Sequence, residues 1–184
     1  MQFVLRLDST AAQKAMASLG KKAPTAIARA LNRAGGSMRT AMARDVSLDV
    51  KLKVGVVKEQ LRLTKATAQR QAIQLSVTGK RIPVEDFNAR GPLPSRGRGR
   101  GVRANTPARV YPTAFRARMP TGHVGVFQRV GKTRLKIREL FGPSLPHVFV
   151  KYQDATLARG QEQLTKNLAS EMSFLLRQTS AASA

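Results

Sequence analysis

The chemistry that stands out in this chain lies in residues 90–107. There Arg96, Arg98, Arg100 and Arg103 sit among Gly91, Pro92, Pro94, Gly97, Gly99 and Gly101. Guanidinium groups are planar, permanently charged and able to pair with phosphates or carboxylates through two hydrogen bonds. Glycine and proline at this density forbid a helix, so the segment is predicted to be a long flexible arm. Two uses fit it. An arm that meets nucleic acid releases counterions and binds without regard to sequence. An arm that meets an acidic neighbour orders itself on docking. A solvated loop with no partner is the third reading.

Groups able to catalyse are sparse. His123 and His147 are the only histidines, and neither has a second histidine or a carboxylate at metal-ligand spacing. Both are read as structural. Glu85-Asp86 is the only adjacent acidic pair. On a strand the two would point to opposite faces, so the pair is read as a tether for a nearby arginine. Gly97-Arg98-Gly99-Arg100-Gly101 opens no helix, and no Gly-x-x-x-x-Gly-Lys-Ser/Thr signature is present. The absence of cysteine removes disulfides, thiolate metal sites and thiol nucleophiles. The expectation is a protein that is no enzyme and needs no cofactor or metal.

Charge narrows the partners. Among 184 residues, 33 Lys and Arg face 10 Asp and Glu, a formal net charge of +23. A small domain needs about 2–8 units for solubility, and the excess repels itself in the folded state. Between Lys80 and Arg138 there are 15 basic residues against Glu85 and Asp86 alone. Nucleic acid and acidic protein surfaces are the fitting partners. An anionic membrane ranks last, for want of an apolar run of about 18 residues or a basic helix with a bulky apolar face. With no Trp and 5% aromatics, few platforms exist for stacking single-stranded bases. The lack of cysteine and of a basic, apolar leader at Met1–Asp8 gives an expectation of synthesis in a cytosol.

The elements that would position these groups can be read from periodicity. Residues 2–7 alternate as a strand, and Asp8-Ser9-Thr10 offers caps for a short helix over 11–19, ended by Gly20. Pro24 suits a helix start. Ile27, Leu31, Ala34, Met38 and Met42 then form one apolar stripe of a long helix, with Arg29, Arg33 and Arg44 opposite. Gly35-Gly36 implies a bend or, preferably, a close-packed neighbour. One or two helical turns are predicted over 54–61, strands over 61–67 and 71–78, and a hairpin of 114–119 with 123–130 around Pro120-Thr121-Gly122. Leu135–Phe141 leads into a rigid Gly142–Pro146 turn. A closing helix carries Leu157, Leu164, Leu168, Met172 and Leu175 on one face, with Phe174 and Leu176 off it as a possible inter-subunit face, before a frayed tail at 179–184. The whole reads as one α+β domain over 1–184: an antiparallel sheet packed by a long N-terminal-half helix and a long C-terminal helix, with an extended Arg/Gly-rich loop.

Several stretches together resemble a known family. They are Ala28-Arg29-Ala30-Leu31-Asn32-Arg33, the segment 54–64 with Leu61-Arg62-Leu63-Thr64, and Gly79-Lys80-Arg81-Ile82-Pro83. They continue with Thr113-Ala114-Phe115, then Gly122-His123-Val124-Gly125-Val126-Phe127-Gln128-Arg129. The most specific is Ile137-Arg138-Glu139-Leu140-Phe141-Gly142-Pro143-Ser144. In this order, over about residues 25–147, the chain resembles the minor tail protein Z, or tail completion, family of tailed bacteriophages and prophages. The resemblance implies a structural virion protein at the head-proximal end of a long tail, assembled in the host cytoplasm and needed for joining tail to filled head. It further implies a homo-oligomeric ring, commonly sixfold, with tail terminator, tail tube and neck proteins as partners, and room for contact with phage DNA. The arm looks like an insertion of variable length within that pattern.

Overall fold

The computed structural model describes residues 3–8, 22–91, 101–131 and 136–181. The expected short helix over 11–19 lies outside the described residues. Strand β1 spans Phe3–Asp8, and helix α1 spans Ala23–Val50 with proline in its first turn, where a preset φ costs nothing. Ile27, Leu31, Ala34, Met38 and Met42 are all buried, as their spacing requires. Ala23, Ala26, Ala30 and Ala43 are buried beside them, so small side chains let neighbours approach closely on both flanks of the stripe.

Helix α1 runs through Gly35-Gly36 without a break. A Cβ at Gly35 would stand 2.8 Å from Ile73 Cδ1 and 3.1 Å from Leu63 Cδ1, whereas Gly36 faces open space. Close packing, not bending, explains the first glycine. Helix α2 (Val54–Gln60) turns the chain into β2 (Leu61–Thr64), and β3 (Ala72–Val77) returns antiparallel to it. Strand β3 is central in the order β1-β3-β2. Its alternate residues Ile73, Leu75 and Val77 are buried, the period-2 signature of a half-covered strand.

The second half is built from smaller pieces. After a single 3-10 turn at Val84–Phe87 come β4 (Val102–Arg103) and β5 (Val110–Tyr111), which pair with each other. Strands β6 (Ala114–Arg118), β7 (Val124–Arg129) and β8 (Ile137–Glu139) form a third sheet with β7 in the middle. The antiparallel sheet is thus divided into three small ones. Pro107 and Pro112 flank β5, and prolines cannot donate to a ladder, which keeps that pair short. The β6–β7 hairpin closes as expected, with Gly122 at φ 84° and its N–H donating to the Met119 carbonyl at 2.8 Å.

Helix α3 (Pro146–Lys151) was not anticipated: six residues are too few to show a period. Helix α4 (Gln153–Ala181) packs along α1, where Gly160 takes the side chain of Met38 in close contact. Leu164 and Leu175 are buried and Leu157, Leu168 and Met172 half-buried, confirming the stripe. The tail expected to fray from residue 179 is helical through Ala181.

Candidate functional site

The arm's two ends are pinned. Arg90 N–H donates to the Arg103 carbonyl at 2.6 Å, and Arg103 N–H returns the bond to Arg90 at 2.8 Å. Beyond them stand two glycines. A Cβ on Gly91 would lie 2.9 Å from the Gly101 carbonyl oxygen. Gly101 has φ 67°, and its Cβ would lie 2.8 Å from the Tyr111 carbonyl oxygen, so only glycine fits there. This closed neck holds both ends of segment 92–100, which with Arg96, Arg98 and Arg100 lies outside the described residues.

The neck narrows the expected arm of 90–107. Val102, Ala104 and Thr106 are 0%, 7% and 4% exposed, so these positions belong to the folded body. They alternate with exposed Arg103 and Asn105, a period-2 pattern that the surrounding Gly and Pro conceal. Asn105 N–H donates to the Phe87 carbonyl at 2.8 Å, and Thr106 Oγ1 meets Tyr111 Oη at 2.9 Å. Arg103 is therefore on β4 with its side chain in solvent, the only one of the four expected arm arginines that can be placed.

Beside the neck is a concavity of about 820 Å³. Its lining includes Lys51, Arg90, Arg103 and Arg109, together with Asn88 and Asn105, and no carboxylate among the described residues. None of the four cations has an acidic partner among the described residues. Lys51, Asn88 and Arg109 have φ of 55°, 52° and 53°, and they are the non-glycine residues of left-handed conformation among those described. Such backbone costs about 1 kcal/mol or more per residue for a side chain other than Asn, and such strain clusters where function holds it in place. A second hollow of about 280 Å³ adjoins the first, sharing Lys51, Asn105 and Pro107, and is walled by Phe87, Pro143, Leu145 and Val148. Its single carboxylate, Asp49, accepts from Lys151 Nζ and Tyr152 Oη at 3.1 Å each. Those two bonds hold the Asp49 carboxyl below its usual pKa and Lys151 above its own.

Elsewhere carboxylates are engaged within the chain. Arg29 and Arg33 both reach Glu171, which is 4% exposed on α4, so the arginines opposite the stripe clasp the second helix. Glu171 Oε2 lies 3.1 Å from Arg29 Nη2, at an angle that makes no hydrogen bond. Asp45 pairs with Arg159 at 2.6 Å across the same two helices. Glu85 holds Arg116 through two bonds, one of them at 2.8 Å, and that pairing raises the Arg116 pKa. Glu85 is thus the expected tether. Its neighbour Asp86 is not: burial raises its carboxyl pKa, and Glu59 and Glu85 push it the same way.

His123 has a carboxylate partner that lies far from it in the sequence. Pairing of β7 with β8 brings Glu139 Oε1 to 2.8 Å from His123 Nε2, sixteen residues away in the chain. No group of three metal-ligating side chains occurs among the described residues. No helix is long and apolar enough to cross a membrane among those residues either. Phe174 and Leu176 are 48% and 54% exposed on α4, with the Arg29 guanidinium 6.0 Å from the Phe174 ring centre.

Sequence reasoning missed Lys51, Asn88, Arg90 and Arg109. Their residue types were in view, but Lys51 is brought to the others only by the way α1 ends. A family model described as prophage minor tail protein Z matches residues 9–181. No curated protein and no solved structure matches the chain.

Proposed function

Because the chain belongs to the prophage minor tail protein Z family, we propose that it completes the head-proximal end of a long phage tail and supports joining of tail to filled head. The coarse part is given by the family: a phage tail protein with a structural role. The family match over 9–181 is the observation that carries the reading. In the proposed assembly the chain is a subunit of a ring, sixfold by analogy, that touches tail terminator, tail tube or neck proteins. Phe174 and Leu176, on the two sides of buried Leu175, meet neighbouring subunits, because two large exposed apolar side chains on one long helix gain from being covered. The arm, with Arg96, Arg98, Arg100 and Arg103, reaches an adjacent protein. Assembly in the host cytoplasm is consistent with the lack of cysteine.

A stop codon early in the gene, followed by electron microscopy of the lysate, tests the role. Full heads beside separate tails of normal length are the expected result. Joined, ordinary particles would remove it.

A second reading keeps contact with phage DNA. It is favoured by the uncompensated Lys51, Arg90, Arg103 and Arg109 beside the neck. It requires log affinity for duplex DNA to fall linearly with log salt, with a slope of several phosphates. Weak binding that ignores salt rules it out.

A further inference from the structure

We propose that the neck concavity and the adjoining apolar hollow form one docking site for an acidic protein segment that presents a bulky apolar side chain. The inference rests on the tail-assembly reading above and names the kind of partner. The two hollows adjoin at Lys51, Asn105 and Pro107, which line both, yet their walls differ in kind. One side offers Arg90, Arg103 and Arg109 without a carboxylate. The other offers Phe87, Leu145 and Val148, and its one carboxylate, Asp49, is engaged by Lys151 and Tyr152.

A sugar-phosphate backbone would satisfy the first wall and leave the second unused. A peptide with carboxylates flanking a leucine or phenylalanine satisfies both, through charge-assisted bonds to the guanidinium groups and burial of one apolar side chain. The chain's own arm carries charge of the same sign and so does not complement this wall. A second copy is a poor one. Of its ten carboxylates, five are held in ion pairs with Lys or Arg, namely Asp45, Asp49, Glu85, Glu162 and Glu171, and Glu139 is hydrogen-bonded to His123. Charge complementarity therefore points to a different, acidic chain. Lys51 and Arg109, both with left-handed backbone, line the same concavity.

The test uses the full chain and three fluorescein-labelled probes in fluorescence anisotropy at 0.15 M salt. The first is a ten-residue peptide of glutamates around two central phenylalanines. The second replaces those phenylalanines with serines at equal charge. The third is a 20-base-pair duplex. The first peptide is expected to bind at least tenfold tighter than the second. The Arg103→Gln/Arg109→Gln variant, whose changed side chains are exposed, is expected to lose at least tenfold of that affinity. Val148→Asp should reduce the first peptide to the level of the second. Circular dichroism melting establishes that each variant is folded, and Val148→Ala, with a smaller loss, replaces Val148→Asp if that one is not. Equal binding of the two peptides overturns the proposal. So does a duplex that binds tighter than the first peptide and is lost with the same arginines. A peptide that fails to bind, while the stop-codon strain still leaves tails unjoined, removes the docking site and leaves the tail role standing.

Discussion

The helical half and the neck half of this molecule use charge in opposite ways. Carboxylates fasten the helices here: Glu171 under Arg29 and Arg33 and Asp45 against Arg159 join α1 to α4, and Asp49 against Lys151 joins α1 to α3. Around the neck, Lys51, Arg90, Arg103 and Arg109 share one concavity with no carboxylate among the described residues of its wall. Like charges held together cost stability unless a partner neutralises them. The contrast separates the part that supports the fold from the part that we propose engages another molecule.

Breaking the helical half should have the largest effect. Leu31 is fully buried on α1. Leu31→Ala removes its burial and leaves a cavity, a loss of about 2–5 kcal/mol that urea unfolding would read directly. The Arg103→Gln/Arg109→Gln variant, by contrast, is expected to unfold within about 0.5 kcal/mol of the parent, as exposed substitutions do. A large loss in that variant would erase the contrast.

Next in size is Glu171→Ala. The carboxylate is buried while Arg29 and Arg33 are about half exposed, so water can take over their solvation. The expected cost is about 1–2 kcal/mol, less than for a fully buried pair. Urea unfolding again measures it, and high salt should change it little because the acid is shielded from solvent.

The smallest effect is at Asp86, and it has the opposite sign. Burial first, then Glu59 and Glu85, raise its pKa in the folded state. A raised folded value means the acid binds its proton more tightly when folded. Its contribution is then favourable below the unfolded pKa and is lost as pH rises through the folded value. Asp86→Asn should therefore stabilise at pH 7, and the gain should vanish as pH falls below about 4. Melting temperatures across that range give the answer, and a destabilised variant at pH 7 would contradict it.

What could be read from sequence was the periodic part. The stripe from Ile27 to Met42 spans many turns of one helix, and Ile73, Leu75 and Val77 alternate cleanly, so both elements declared their faces. Gly35 was legible as a close approach because glycine inside such a stripe weakens a helix unless something occupies the space. The candidate site was legible only in composition. Arg103 could be named, but its place on β4 was hidden, since two-residue strands have no period to detect. The neck depends on Lys51 meeting residues about 40–58 positions further on. That encounter follows from the left-handed cap that ends α1, which no local spacing encodes. His123 with Glu139 was hidden for a related reason: only the register of β7 with β8 creates the pair.

The central claim is that segment 92–100 and the surrounding cations serve assembly and not the fold. The closeness of Gly91 to Gly101 makes a direct test practical, because residues 92–100 can be replaced by Asn-Gly, a pair suited to a tight hairpin. The measurement is complementation of the stop-codon strain with that replacement, scored by electron microscopy, alongside thermal melting of the purified chain. The account requires unchanged melting together with full heads beside unjoined tails. Joined, infectious particles in normal numbers would contradict it.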